Sequence, residues 1–304
     1  MARITLDQYR PFTQATDEQY RRLETGDILY FPTMPFDLSA EERAFLLAQK
    51  QSGASYHKNI SYRPANDRLK GIDQTDAASR QQMHRIMRSY SQRAIGFMES
   101  FLPRYARSWR IDFASFRPIE EAGRDVALRS RNDLIHIDSF PSRPSYGDRL
   151  LRVFTNLHPE RPRVWVTSDP FEELARQYAD QVGLPCPPTV ISRLRRQALA
   201  VLSGVGLPVV NRPEYDRFML RFHHFLKENT AFQMNCRKEH WEFPPGSSWI
   251  VFTDTTSHSC ISGQYALEQT FIVSRRSLAW PEKAPIAIME RMAGFPLSPR
   301  AKSA

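Results

Sequence analysis

The chain has 304 residues, of which 41% are hydrophobic and 25% are charged. This length can bury one sizeable core or two modest ones, and the composition is that of a globular protein rather than a disordered one. No run approaches the roughly 18 apolar residues that a membrane-spanning helix needs, so the sequence argues against an integral membrane protein.

The formal net charge is +9. A charge of this sign favours an acidic partner, which could be nucleic acid, an anionic membrane surface or an anionic small substrate. The sequence contains no zinc-finger spacing and no aromatic RNA-binding strand motif, so nucleic acid ranks lowest. Solvated arginine-rich faces without any partner are an equally open interpretation of most of these charges.

The start of the chain and its cysteines indicate a cytoplasmic setting. Residues 1–7 lack the apolar core of a signal peptide, so we expect the protein to remain where it is made. Cys186, Cys236 and Cys260 show no C-x-x-C spacing, which is typical of a reducing compartment. We interpret Cys260 as a small buried residue, with metal ligation as the alternative.

The N-terminal part of the chain predicts alternating strands and helices. Residues 23–32 predict a Gly turn that leads into a short strand, and Ser39 is a typical N-cap residue before an acidic first turn. Residues 51–75 are polar and irregular. Over residues 77–102 apolar side chains recur every three or four positions, which predicts an amphipathic helix that Pro103 ends.

The remainder of the chain predicts short strands with helices between them. The predicted strands are residues 109–118, 163–167, 241–244, 248–253 and 265–273. One helix begins near Pro170, and residues 214–229 form another with an aromatic face. Residues 189–210 place arginines among apolar residues at helical spacing, which is compatible with contact to anionic lipid head groups or with a solvated helix face.

Residues 132–156 carry the most informative motif. An apolar run leads into His136-Ile-Asp138, and in an extended strand alternate side chains point the same way, so an imidazole and a carboxylate converge. His258 stands just after another apolar strand. Two His and one carboxylate on one face of a metal leave open positions, which is the arrangement of non-haem Fe(II) oxygenases.

The tripeptide alone is weak evidence, because His-X-Asp often arises by chance. A strand-end histidine paired with a neighbouring carboxylate is the structural alternative. The context favours a metal site, because a Gly-containing turn follows the tripeptide and the distal Ser-His follows a second apolar strand. This interpretation requires His258 to lie within a few ångströms of the point where His136 and Asp138 converge.

Short strands surround both ligand segments, and helices lie outside them. This pattern predicts an α+β, mainly β fold with a jelly-roll, cupin-like core whose interior can hold a metal and a ligand. We predict a single domain over residues 1–304. It would consist of an N-terminal flank (1–125), a jelly-roll core (126–280) with a helical insert at about 170–230, and a loose tail (281–304).

Six ordered sequence blocks resemble the Kdo hydroxylase family, where Kdo is 3-deoxy-D-manno-oct-2-ulosonic acid. The blocks are KNISY from Lys58, SFRP from Ser115, LIHIDSFPSRP from Leu134, LRVFTN from Leu151, YDRFML from Tyr215 and SHSCISGQYALEQTF from Ser257. The resemblance spans residues 23–273. It implies an Fe(II)- and 2-oxoglutarate-dependent dioxygenase that uses O2 and has a double-stranded β-helix core with flanking helices.

The resemblance also implies the site residues. His136, Asp138 and His258 match the family's metal triad, so they are the implied iron ligands and catalytic residues.

The anchor for 2-oxoglutarate is less direct. Gln269 stands where many 2-oxoglutarate enzymes have an arginine, so we assign the far carboxylate to Arg152, with Asn156 and Gln269 as hydrogen-bond partners. An ion pair of Arg152 with Asp148 or Glu268 is the alternative.

The implied substrate is a Kdo-lipid A type glycolipid of the lipopolysaccharide inner core, and the implied product is the C3-hydroxylated sugar Ko. Such a substrate is strongly anionic, which would give the excess arginine a use. We therefore predict substrate contacts from Arg117, Arg124, Arg143 and Arg149, which lie near the triad in sequence. A lipid-anchored substrate also implies peripheral attachment at the cytoplasmic face of the inner membrane.

Two other functions remain open at this point. The first is an Fe(II)/2-oxoglutarate oxygenase that acts on another anionic metabolite. The second is a non-enzymatic basic membrane-surface protein whose His and Asp residues are structural.

Overall fold

The computed structural model describes residues 1–7, 9–11, 13–49, 59–72, 76–185 and 212–298. The strands in these ranges are β1 (Arg3–Thr5), β2 (Ile28–Phe31), β3 (Ile60–Arg63), β4 (Arg68–Lys70), β5 (Trp109–Arg117), β6 (Arg149–Asn156), β7 (Arg163–Thr167), β8 (Glu239–Phe243), β9 (Ser248–Phe252), β10 (His258–Ser262) and β11 (Ala266–Val273). The helices are α1 (Asp17–Glu24), α2 (Ala40–Leu47), α3 (Ala77–Phe101), α4 (Pro103–Ala106), α5 (Phe171–Val182), α6 (Glu214–Glu228), α7 (Thr230–Asn235) and α8 (Pro285–Ala293).

In the described ranges, the strands form two sheets that face each other. The larger sheet has the order β1-β2-β9-β6-β11-β5-β3-β4, and the smaller has the order β10-β7-β8. Aromatic side chains from both sheets fill the space between them: Phe243 stacks on Trp249 with ring centroids 3.9 Å apart, and Phe154 meets Trp165 at 5.0 Å. Two facing sheets with a filled interior are the architecture of a jelly roll.

The outer face of the larger sheet packs against α3. Asp76 caps this helix by accepting hydrogen bonds from the backbone N–H groups of Ala78 and Ser79. The apolar stripe that predicted the helix is buried against the sheet. The buried stripe includes Met83, Ile86, Met87, Tyr90, Ala94 and Met98. The larger sheet therefore has one face toward helices and one face toward the smaller sheet.

Most predicted elements are confirmed, and four expectations are wrong. Residues 51–75 are not irregular throughout, because they contain β3 and β4. The segment that contains His136 and Asp138 is not a strand of either sheet, because its only ladder contact is an isolated bridge between His136 and His258. Residues 1–125 are not a flank, because β1 to β5 belong to the larger sheet. Residues 281–298 are not loose, because α8 buries Ile286, Ile288 and Met289 in the main core.

Two further expectations concern the membrane. The basic amphipathic segment predicted at 189–210 lies outside the described residues. Across the described ranges, no helix combines the length and apolar character needed to cross a bilayer.

Candidate metal centre

The backbones of the two predicted histidine ligands are paired. The His136 N–H donates to the His258 carbonyl at 3.0 Å, and the His258 N–H donates to the His136 carbonyl at 2.8 Å. Asp138 is attached to the same sheet region, because its N–H donates to the Thr253 carbonyl at 2.8 Å. Two segments that are remote in sequence are therefore fixed side by side where β10 begins.

The side chains of the predicted triad converge on one point. Asp138 Oδ1 lies 3.4 Å from His136 Nε2, and Asp138 Oδ2 lies 3.8 Å from His258 Nε2. Ligand atoms at right angles, each about 2.1 Å from one metal ion, lie about 3 Å apart. The three groups are therefore close to the spacing that a shared metal ion requires.

Hydrogen bonds to the backbone fix both imidazole rings. His136 Nδ1 lies 2.7 Å from the Leu134 carbonyl, and His258 Nδ1 lies 2.8 Å from the Thr256 carbonyl. A carbonyl can only accept, so each Nδ1 carries the ring proton and each Nε2 keeps a lone pair directed at Asp138. The ring of His258 is also stacked on Trp165, with centroids 4.9 Å apart.

Burial and charge set the protonation states that a metal needs. Burial lowers the pKa of His136 well below its ordinary value and also lowers the pKa of His258, so both rings are neutral at pH 7. Burial would raise the pKa of Asp138, but the nearby Arg152 guanidinium outweighs it and holds this pKa well below its ordinary value. Two neutral imidazoles and one carboxylate are suitable ligands for iron.

An unsatisfied ligand atom supports a metal at this point. Asp138 Oδ2 is buried and makes no hydrogen bond within the described ranges, although Arg152 Nη1 lies 3.0 Å away. Arg152 balances the charge of this carboxylate, but no donor among the described residues is bonded to the lone pairs of Oδ2, which leaves them for a metal ion. The residues present therefore fit an Fe(II) ion held by His136, Asp138 and His258.

A third histidine offers a competing ligand set. The ligand atoms of His136, Asp138 and His223 all lie within 4.8 Å of one another. However, His223 does not line the cavity at the centre, whereas His258 does. His223 Nδ1 donates to the carbonyl of Ile137 at 2.7 Å, in the middle of the tripeptide. We therefore assign His258 as the ligand and His223 as the residue that positions the tripeptide.

Helices α6 and α7 together hold the ligand segment in place. His223 on α6 donates to the Ile137 carbonyl. The Gln233 side chain on α7 accepts from the Ile135 N–H at 3.0 Å and donates to the Ile135 carbonyl at 2.8 Å. Sequence reasoning did not identify Gln233 as a residue of this site. No local pattern connects a glutamine on a short helix to a segment almost 100 positions earlier.

The cavity next to the triad has strongly basic walls. Its lining residues are Arg117, Asn132, His136, Asp138, Arg152, Phe154, Arg163, Trp165, His258 and Cys260. Arg152 Nε lies 3.4 Å from Glu268, and Arg117 forms a second ion pair with the same carboxylate. Although burial would raise it, the pKa of Glu268 is lowered to about 2 by Arg152 and Arg117, so this carboxylate is ionised. The predicted alternative partner of Arg152, Glu268, is therefore a real contact.

Arg163 is a cavity residue that sequence reasoning missed. It extends from β7, is only 2% exposed, donates to the Gly263 carbonyl at 3.0 Å and has a buried Nε without a hydrogen-bond partner in the described ranges. Gly263 has φ of +133°, and a Cβ there would lie 2.6 Å from Arg163 Cγ, so only glycine leaves room for this side chain. The available signal was strand alternation, which places Arg163 and Trp165 on one face.

Three predicted binding residues do not reach the cavity. By strand alternation Arg149 lies on the outer face of β6, where it is 0% exposed and bonds to Asp254 at 2.9 Å. Gln269 lies on the same outer face and accepts from Ser91 of α3 at 2.7 Å. The side-chain amide of Asn156, at the end of β6, donates to the backbone carbonyls of Arg161 and Phe243.

The other predicted arginines lie around the cavity. Arg117 and Arg152 are part of its wall. Arg124 forms an ion pair with Glu121 at 3.6 Å, beside Arg117. Arg143 is partly exposed, with its guanidinium over the rings of Phe113 and Phe140. Cys260 is buried against the cavity, as predicted for a small packed residue.

Comparisons with known proteins agree with this geometry. The family model for 3-deoxy-D-manno-oct-2-ulosonic acid (Kdo) hydroxylase matches residues 7–296. No curated protein sequence matches the chain.

Crystal structures of the Kdo hydroxylase KdoO, a non-heme Fe(II) α-ketoglutarate-dependent dioxygenase, are similar over the full length. The cobalt(II) complex is 32% identical over 99% of each chain, with a TM-score of 0.84. The complex with α-ketoglutarate and Fe(III) is 31% identical over 100% of this chain and 99% of that one, with a TM-score of 0.83. The complex with succinate and Fe(III) is 31% identical over 99% of each chain, with a TM-score of 0.82.

These matches confirm the predicted double-stranded β-helix fold, the enzyme class and its cofactors Fe(II), 2-oxoglutarate and O2. They also exclude the alternative of a non-enzymatic surface protein. The chain belongs to the Kdo hydroxylase family and is an Fe(II)- and 2-oxoglutarate-dependent dioxygenase.

Proposed function

We propose that the protein hydroxylates C3 of a Kdo residue in a Kdo-lipid A type glycolipid and so produces Ko. The observation that carries this proposal is the convergence of His136, Asp138 and His258 beside a cavity with arginine walls. Membership of the Kdo hydroxylase family supports Kdo as the sugar. A glycolipid with sugar carboxylates and lipid phosphates matches the basic character of the chain, whose net charge is +9.

The chain's own residues prepare the site for this reaction. When bound, Fe(II) with 2-oxoglutarate and O2 supplies the oxidising power to insert one oxygen atom into a C–H bond, while 2-oxoglutarate becomes succinate and CO2. His136 and His258 present neutral Nε2 atoms because their Nδ1 protons are bonded to backbone carbonyls. Arg152 keeps Asp138 ionised, and Trp165 fixes the His258 ring against rotation.

We assign the far carboxylate of 2-oxoglutarate to the basic wall formed by Arg117, Arg152 and Arg163. All three line the same cavity as the metal ligands. Arg163 is the candidate that sequence reasoning missed: it is buried, its Nε lacks a hydrogen bond within the described ranges, and its Nη2 lies 3.6 Å from Glu121. A buried guanidinium that meets a carboxylate forms a strong charge-assisted pair.

We also propose that the protein acts as a peripheral protein on the cytoplasmic face of the inner membrane. The proposal is supported by the lipid anchor of the inferred substrate and by the positive net charge, since basic proteins are attracted to anionic lipid surfaces.

Mass spectrometry of lipopolysaccharide tests the proposal directly. Cells with the intact gene should carry one added oxygen atom on a Kdo residue, and cells with the His136→Ala protein should not. Fragment ions should locate the oxygen at C3. An unmodified lipopolysaccharide, together with succinate release on another anionic acceptor, would favour the alternative oxygenase instead.

A further inference from the structure

Three basic residues at the edge of the larger sheet share the face that forms the cavity. Arg63 lies directly opposite Arg68, and Ser61 lies directly opposite Lys70, in the antiparallel pair β3 and β4. Directly opposed residues in such a pair point to the same face, as do residues two apart in one strand. Arg63, Arg68 and Lys70 therefore point the same way, and we call them the basic strip.

Strand register connects the basic strip to the cavity. Ser61 is paired with Ser115, Ser115 with Glu268, and Glu268 with Phe154. Phe154 lines the cavity, so the whole row, which begins at Lys70, faces the same side of the sheet. The opposite face is taken by Ile60 and other residues that pack on the helices.

A series of guanidinium–ring contacts covers the distance between the strip and the metal centre. The Arg63 guanidinium lies 4.6 Å from the centroid of Phe113, and the Arg143 guanidinium lies 3.8 Å from the same ring. Arg143 is also 4.4 Å from the centroid of Phe140, and Arg152 is 5.3 Å from it. Arg152 in turn lies 3.0 Å from Asp138. Cationic and aromatic groups thus form an unbroken series of contacts from the sheet edge to the triad.

The charges of the basic strip are available to a ligand. Arg143 is already paired with Asp112. In contrast, within the described residues Arg63, Arg68 and Lys70 form no ion pair, and Arg63 Nε is buried without a hydrogen-bond partner. Arg68 and Lys70 are exposed. Three unpaired cations on one face attract an anion strongly.

We propose that the basic strip binds a second oxyanionic group, a phosphate or a carboxylate, carried by the acceptor glycolipid beyond the sugar that is hydroxylated. The inference rests on the proposed function. Neighbouring strands are about 4.8 Å apart, so β3 lies about 14 Å and β4 about 19 Å from β6, which carries Arg152. A group at that distance belongs to another part of the acceptor, and the strip therefore selects an extended anionic glycolipid over free Kdo.

The test compares Arg68→Gln, Lys70→Gln and Arg63→Gln with the wild type. Arg68 and Lys70 are exposed, so these two variants fold even if Arg63→Gln does not, and thermal unfolding checks this. Arg107→Gln is the matched control, because Arg107 is also an exposed arginine but lies outside the strip. The acceptors are Kdo-lipid A in detergent micelles, the same glycolipid after phosphatase treatment, and free Kdo.

For Kdo-lipid A, each strip variant should raise KM by about tenfold, because each loses one charge-assisted contact. The KM for 2-oxoglutarate should not change, and Arg107→Gln should behave as wild type. If the strip binds a phosphate, phosphatase treatment removes the difference between variant and wild type; if it binds a carboxylate, the difference persists. Equal KM values for wild type and all strip variants would overturn the proposal.

A binding measurement separates this inference from the proposed function. Titration of Kdo-lipid A micelles into the protein without 2-oxoglutarate reports binding whether or not the reaction occurs. Weaker binding by Arg68→Gln than by Arg107→Gln supports the strip even if no Ko is formed. Equal binding by these two variants rejects the strip even if Ko is formed.

Discussion

The two faces of the larger sheet use the same residue types for different purposes. Arg149 and Arg152 are three positions apart on β6 and therefore lie on opposite faces. On the helix side, Arg149 is enclosed by Asp254, Thr255 and the ring of Phe252. On the cavity side, Arg152 lies 3.0 Å from a metal ligand, Asp138. A buried arginine is therefore evidence for a site only when the face it occupies is known.

The buried carboxylates of the two faces differ in the same way. Burial raises the pKa of Asp254, and its single guanidinium partner, Arg149, does not fully compensate. The pKa of Glu268 is instead lowered to about 2, because Arg152 and Arg117 together outweigh the effect of burial. The cavity side thus surrounds its buried carboxylate with two arginines where the helix side has one, which favours an ionised carboxylate at the cavity wall.

The largest effect should come from the ligand set itself. We expect His258→Ala to lose Fe(II) binding and to lower 2-oxoglutarate turnover by more than about a thousandfold, because only two protein ligands remain. His223→Ala should keep the ion but bind it about 10- to 100-fold more weakly, because only the support of the tripeptide is lost. Anaerobic Fe(II) titration and succinate formation measure both effects.

The comparison of these two variants decides between the two possible triads. If His223→Ala abolishes metal binding while His258→Ala retains it, the assignment of the ligands is reversed. His84→Ala is the control, because His84 is a histidine outside the centre that pairs with Asp67.

The helix side is tested by Arg149→Met. This change leaves Asp254, which is 2% exposed, without its cation, and breaking a buried ion pair in this way costs about 3–5 kcal/mol of stability. Arg152→Met also breaks a buried ion pair, but unlike Arg149→Met it should raise the KM for 2-oxoglutarate by at least about tenfold, because it removes a cation from the cavity wall. Urea unfolding and steady-state kinetics of both variants provide the measurements.

The two arginine variants should therefore differ in their kinetics, because only Arg152→Met should raise the KM for 2-oxoglutarate. Comparable kinetic defects in both, after correction for any unfolded fraction, would show that the faces are not functionally distinct.

Local patterns in the sequence were sufficient for α3 and for strands β2, β5, β7, β8, β9 and β11, whereas β1, β3, β4 and β10 were not predicted. The metal triad stays a prediction that the distances at the centre support. Apolar residues of the stripe that includes Met83 and Tyr90 repeat at helical spacing. His136 and Asp138 are only two positions apart, so their side chains lie close together even though the segment is not a strand. Strand alternation already separates Arg149 from Arg152, so the prediction for Arg149 failed although the signal was present.

Other residues depend on tertiary pairing and could not be predicted. The face of Gln269 follows from the register of β11 with β6, which local propensity does not set. Gln233 and His223 support the ligand segment through contacts across the fold. The segment of α8 was predicted to be a loose tail because residues 281–304 are rich in Pro, Lys, Arg and Ser, although the helix itself carries the apolar side chains that it buries.

The smallest expected change in stability is a pH dependence that belongs to the cavity side. A pKa of Glu268 that is lowered from 4.5 to about 2 corresponds to about 3 kcal/mol of stability. Because the folded pKa is below the unfolded one, this contribution is fully present above about pH 4.5 and is lost as the pH falls toward 2. Between pH 6 and pH 3 the free energy of unfolding of the metal-free wild type should therefore fall by about 2 kcal/mol more than that of Glu268→Gln, which cannot titrate at this position.

Urea unfolding at the two pH values measures this difference. The decisive result is whether the wild type loses more stability than Glu268→Gln. Asp254→Asn is the matched control on the helix side: the pKa of Asp254 is raised rather than lowered, so this carboxyl adds no stability that acid would remove. A loss for Glu268→Gln as large as that for the wild type would mean that Arg117 and Arg152 do not hold Glu268 ionised, and the cavity wall would then be more positive than its ion pairs indicate.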